Sequence, residues 1–174
     1  MVLTPRELWT VIHGMLLGAL FFLAFSGIWV TLLGLHPERI AGIEKRVRGL
    51  KIAGWATAII LWLTVITGTY IVYPWYRAKP PEGADLTQFP RSYLLASPER
   101  AGWHNFGMEW KEHVAWLVPM LVTAVAYIIS RYGVKLVEEE KIRKAAILVF
   151  TIAFFAAVAA VVFGAFLNKA APIK

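Results

Sequence analysis

Four long apolar runs dominate the chain, at about residues 8–35, 52–73, 108–130 and 145–167. Each has roughly the 20 residues that a helix needs to cross the hydrocarbon core of a bilayer. Backbone amides in that solvent must be satisfied within their own segment, so the runs predict helices. Between them lie two short basic loops, HPERIAGIEKRVRGLK and RYGVKLVEEEKIRK, and one long polar loop at 77–107. The expected fold class is all-α: one polytopic membrane domain over 1–174, with four spans in an up-down-up-down bundle and the long loop between helices 2 and 3.

Local signals refine the outline. Trp9 and the TYIVYPWYR segment read as interfacial aromatic belts. Pro37 suits the first turn of a short amphipathic helix leading into the second span, and Ser97-Pro98-Glu99 marks the start of an interfacial helix leading into the third. Pro119 predicts a kink. Gly14 and Gly18 form a small-xxx-small pair, and the alanine-rich fourth span suits tight packing. The N-terminal apolar run is too long for a signal peptide and lacks an A-x-A-like exit, so it is expected to stay as the first span.

Composition agrees: 59% of the 174 residues are hydrophobic and the mean hydropathy is +0.61. The absence of cysteine excludes disulfides, thiolate metal sites and iron–sulfur clusters from this chain. The formal charge of +7 reads as topology and contact with the lipid bilayer, and no motif points to nucleic acid. The two short loops carry ten Lys and Arg against eight spread over the other side. Short loops govern orientation, so both termini and the 77–107 loop are expected outside a bacterial or archaeal cytoplasmic membrane.

Candidate chemistry rests on histidine. His36 reads as a solvated loop residue, and His104 as another, with ligation as its alternative role. His13 lies within the first span, and His113 near the start of the third. His13 is 22 residues, about 33 Å, from the inner end of its span, and His113 is 18 residues, about 27 Å, from Arg131. The two therefore sit within about one helical turn of the same depth. A matched intramembrane pair on two helices suits axial ligation of one haem b. Gly14 and Gly18 would leave room for a flat ring, and Phe106, Trp110, Trp116, Leu117 and Met120 would wall it.

Glu109, Glu112 and His113 fall at i, i+3 and i+4, one helical face. They are candidates for a metal site completed by His13 and His104, or for proton acceptors at a quinone pocket beside a haem. A plainer reading keeps the histidines structural and leaves Glu109, Lys111 and Glu112 as a solvated rim. No Gly-x-Ser-x-Gly, phosphate loop or His-Glu-x-x-His motif is present, and four spans without central charges do not suit a secondary transporter.

With its spans and the pair His13 and His113, the chain resembles the four-helix membrane b-type cytochromes. EWKEH, at 109–113, is locally similar to a Glu-rich, His-ending segment of haem A synthases. Diheme members of such groups place two histidine pairs in their helices; here the second and fourth spans have none, which implies one haem at most. The expected function is a subunit of a quinol-linked oxidoreductase, holding one haem near the outer face. It would pass electrons between quinol and an extracytoplasmic redox partner, together with other subunits of a larger complex. The alternative is a non-catalytic anchor or assembly subunit.

Overall fold

The computed structural model describes residues 3–36 and 41–171. The helices in chain order are α1 (Pro5–Leu33), α2 (Ile43–Tyr76), the short α3 (Pro90–Leu95), α4 (Pro98–Val137) and α5 (Glu140–Ala170). All but α3 are long and apolar enough to cross a membrane, and no strand occurs among the described residues. The chain is an all-α, four-helix integral membrane protein.

Each long helix starts ahead of its apolar run, because the run marks only the part suited to hydrocarbon. Once a helix is nucleated, further polar turns add at little cost. At the start of α1 the Thr4 hydroxyl accepts from the Glu7 N–H at 3.2 Å, while the Thr4 N–H donates to Glu7 Oε2 at 2.8 Å. This capping box, with Pro5 in the first turn, starts the helix ahead of the apolar residues. The charged stretch after Gly42 is no separate amphipathic helix; it forms the first turns of α2. Pro37 lies outside the described residues. Likewise, the helix that begins at Pro98 runs straight into the third span, and α4 stays helical through buried Pro119.

The helices pack in a ring, α1 on α2, α2 on α4, α4 on α5 and α5 on α1. In lipid, apolar burial gives little drive to helix association, so close packing and polar contacts must supply it. On α5, Ala146, Phe150, Ala153 and Ala157 recur at helical spacing and are all buried. Phe25 of α1 stacks on Phe150 and Phe154, with ring centroids 4.8 and 4.0 Å apart. At the α2–α4 crossing, a Cβ on Gly54 would stand 3.4 Å from the Ala126 Cβ, so glycine sets that separation. The expected small-xxx-small contact does not form at Gly14, where a Cβ would meet nothing within 4 Å; Gly18 only touches Val161.

Three tryptophans tie neighbouring helices together. Trp29 Nε1 donates to Thr151 Oγ1 (3.2 Å), Trp55 Nε1 to Ser130 Oγ (3.0 Å) and Trp62 Nε1 to Thr123 Oγ1 (3.1 Å). Thr123 and Thr151 in turn donate to carbonyls four residues back, so these polar groups are satisfied without water. At the basic end of the bundle, Gly133 (φ +55°) turns α4 toward α5 in a conformation suited to glycine. Buried Arg143 holds that turn by donating to the Leu136 and Val137 carbonyls, both at 2.8 Å.

Candidate functional site

The other end of the bundle, beneath the long loop, gathers most of the polar chemistry. Three of the four spanning helices change there from α to π geometry, at Ile12–Leu16, Gly68–Val72 and Trp103–Met108. A π turn inserts an extra residue, rotates the face that follows, and is found frequently at functional sites. His13 lies in the first of these segments, Gly68 opens the second and His104 lies in the third.

The His13 ring lies against Gly68 of α2. A Cβ there would collide with His13 Cε1 and stand 3.0 Å from Nε2 and 3.1 Å from Nδ1. Nδ1 is 2.8 Å from the Thr64 carbonyl oxygen. A carbonyl can only accept, so Nδ1 carries the proton and Nε2 of the neutral ring is an acceptor or a ligand. Lys111 of α4 stands near His13, and its Nζ reaches α5, where a Cβ on Gly164 would lie 3.5 Å away. The next residue, Glu112, faces the Tyr73 hydroxyl. Arg77 Nη1 donates to that hydroxyl at 2.9 Å. Glu112 Oε1 is buried and has no hydrogen-bond partner.

His104 is not a solvated loop residue: it is 4% exposed, inside the start of α4. Arg91 Nε of α3 donates to its Nε2 at 3.2 Å. That fixes the remaining ring proton on Nδ1, which donates to the Tyr76 hydroxyl 2.9 Å away. With both nitrogens engaged, His104 ties the long loop, the end of α2 and the start of α4 into one unit. Arg100 stands 4.2 Å over the Tyr93 ring, which packs on the cluster of Tyr76 and Leu94. Glu109 Oε1 lies 3.8 Å from His104 Nε2 and is half-exposed.

His113 is exposed and donates Nδ1–H to the Glu109 carbonyl of its own helix, 2.6 Å away. The residue of α4 near His13 is thus Lys111, two positions before His113, and two positions on a helix lie on different faces. The proposed wall is also dispersed. Trp110 packs on Phe163 of α5, Trp116 meets Trp62 of α2, and Met120 is half-exposed. Gly14 faces open space. Nor do Glu109, Glu112 and His113 assemble a metal site with the other histidines: among the described residues no group of three or more His, Asp or Glu could hold an ion. Glu109 turns to His104, Glu112 to Tyr73, and His113 to its own backbone.

Tyr73, Tyr76, Arg91, Thr64 and Gly68 were not marked by sequence. The tyrosines sit in TYIVYPWYR, whose composition is that of an interfacial belt, and a backbone carbonyl leaves no trace in composition. What the layer offers chemically is two proton-accepting atoms, His13 Nε2 and a Glu112 oxygen, beside the Lys111 amine. No known protein family matches the chain, and no curated protein or solved structure is significantly similar to it.

Proposed function

We propose that this chain is an integral membrane subunit of a quinol-linked electron-transfer complex, and that the layer of His13, Lys111 and Glu112 receives the head group of a quinol. The observation that carries the reading is the Glu112 oxygen, buried without a partner in a span that also faces His13. An unmet carboxylate oxygen in a dry site costs roughly 1–3 kcal/mol, and a hydroxylated ring entering the layer would relieve it by donating a hydrogen bond. His13 Nε2 is the acceptor for a second hydroxyl. Oxidation of a bound quinol releases two protons and two electrons; His13 and Glu112 take the protons, and a redox group of a partner subunit takes the electrons. In this reading the layer faces the outside of a bacterial or archaeal cytoplasmic membrane, as the Lys and Arg distribution suggests.

Quenching of the chain's tryptophan fluorescence by a short-chain quinone tests it. Saturable quenching that weakens roughly tenfold or more in His13→Ala and in Glu112→Gln supports the reading. Quenching that rises linearly and identically in all three proteins means simple partition into the micelle, and leaves a non-catalytic anchor.

A second reading, one haem b as in the four-helix membrane cytochromes, is favoured by a specific feature. Both His13 and His113 have Nδ1 pinned to a main-chain carbonyl and Nε2 uncommitted, the arrangement used by imidazole ligands. The donor chemistry fits, but the positions within one chain do not: His113 lies on the outer surface and His13 lies beside Lys111. A Soret band lost in both His13→Ala and His113→Ala would establish this reading; a colourless protein from haem-replete cells would exclude it.

A further inference from the structure

At the opposite end of the bundle a cleft of about 510 Å³ opens between α2 and α4, and its lining is strongly biased in charge. Arg48 and Lys51 come from α2, Arg131 and Lys135 from the end of α4, against one acid, Glu44. Lys51 reaches across the gap to the turn of α4, where a Cβ on Gly133 would lie 3.5 Å from its Nζ. Arg131 and Lys135 lie at the carbonyl-rich end of the long α4 segment, where the helix dipole favours cations.

The membrane-facing edge of this cleft is as informative as its charge. Ser130, a lining residue, accepts the Trp55 Nε1 hydrogen bond at 3.0 Å, so the α2–α4 gap is bridged directly beneath the basic residues. Beside and below that bridge the surface turns apolar. Ile52, Ile59 and Tyr127 are 66%, 57% and 60% exposed; Ile52 follows Arg48 by four residues and Ile59 follows Ile52 by seven, while Tyr127 precedes Arg131 by four, so each continues the helix face of its basic residue. A cationic pocket at the interfacial level, above an aromatic bridge and an exposed apolar lane, matches an amphiphile with a phosphate head and acyl tails.

We propose that the Arg48–Lys51–Arg131–Lys135 cleft is a binding site for one anionic phospholipid, its phosphate among the four cations and its acyl chains along Ile52, Ile59 and Tyr127. A free phosphate would satisfy the cations but leave the apolar lane uncovered, so the ligand is the lipid. Basic pockets between spanning helices hold such head groups through charge, with the tails adding ordinary apolar contact.

The test uses the full chain, purified in detergent, stripped of lipid by extended washing and then offered phosphatidylglycerol, cardiolipin or phosphatidylcholine. Native mass spectrometry counts the lipids retained per chain. One anionic phospholipid should be retained in preference to phosphatidylcholine, with excess inorganic phosphate failing to displace it. Combined substitution R48Q/K51Q/R131Q/K135Q should weaken retention roughly tenfold or more, and Lys51→Gln alone should weaken it measurably if the larger variant does not fold. A charge-matched variant on the same end, K45Q/R46Q/K141Q/K144Q, should retain the lipid. Equal retention of anionic and zwitterionic lipid, equal losses in both multiple variants, or displacement by phosphate alone would each overturn the site.

Discussion

Replacing Gly68 by alanine tests the placement of His13 directly. The new Cβ would occupy the position of His13 Cε1, so the ring must swing away and lose its 2.8 Å bond to the Thr64 carbonyl. Interhelical hydrogen bonds in membrane proteins average about 0.6 kcal/mol, and a donor left dry adds roughly 1–3 kcal/mol. Alanine returns up to about 1 kcal/mol in helix propensity, which leaves a net loss of about 1 kcal/mol. Gly14→Ala is the matched control, because its Cβ would meet nothing within 4 Å. It carries only the propensity term and should stabilise by about 0.5–1 kcal/mol. At ~2–4 °C per kcal/mol for a chain of this size, the two variants should melt about 3–8 °C apart in the same detergent. The decisive arm is the His13→Ala background. With the ring gone, Gly68→Ala should become neutral or stabilising, a coupling that a double-mutant cycle reads directly. If Gly68→Ala is as stable as Gly14→Ala, or costs the same with and without His13, then His13 does not rest on Gly68.

Other substitutions probe separate parts of the bundle. Trp62→Phe and Thr123→Val each break the same α2–α4 bond, so each should cost about 0.5–1.5 kcal/mol and the double variant less than their sum by denaturant titration; full additivity would mean the bond is absent. Arg143→Met leaves the Leu136 and Val137 carbonyls without their buried donor and should lower stability by about 1–3 kcal/mol, whereas Lys144→Met, on an exposed pair with Glu140, should change it by less than about 1 kcal/mol. Arg91→Met and His104→Ala should both speed proteolysis within the 77–97 segment, since each cuts the tie between α3 and the start of α4; unchanged cleavage would show that the loop is held elsewhere. His113→Ala, at an exposed position, should leave the melting temperature within about 1–2 °C of the parent, in contrast to His13→Ala.

The four spans were legible because lipid imposes one rule on composition: some twenty residues in a row must be apolar whatever they pack against. Helix ends were less legible. Thr4 and Glu7 carry a capping box that the apolar count passed over, and Pro98 was read correctly as a helix start but not as the start of the spanning helix itself. The helix-bridging tryptophans were not legible for a physical reason. An indole at an interface and an indole donating to Thr123 or Thr151 on a neighbouring helix have the same composition, and only the partner's position separates them. His104 misled similarly, since its burial depends on Tyr76 and Arg91, which lie 28 and 13 residues away.

The histidine pair shows where depth and direction part company. Counting residues placed His13 and His113 within about one turn of the same depth, whereas the residue of α4 that stands near His13 in the structure is Lys111. Depth follows from rise per residue, which a π turn of one extra residue barely alters. Direction is more sensitive: one inserted residue rotates everything beyond it by about 100°, enough to exchange which side chain of a helix looks inward. Here α1, α2 and α4 each carry such a turn in the same layer. Those three register shifts, invisible in hydropathy, set His13 on Gly68 with Lys111 nearby and leave His113 outside. A layer in which three helices depart together from α geometry is also where backbone and side-chain polar groups are least confined to their own helix. That is the physical reason to seek the proposed quinol beside Glu112 and His13 and not deeper in the alanine-lined core.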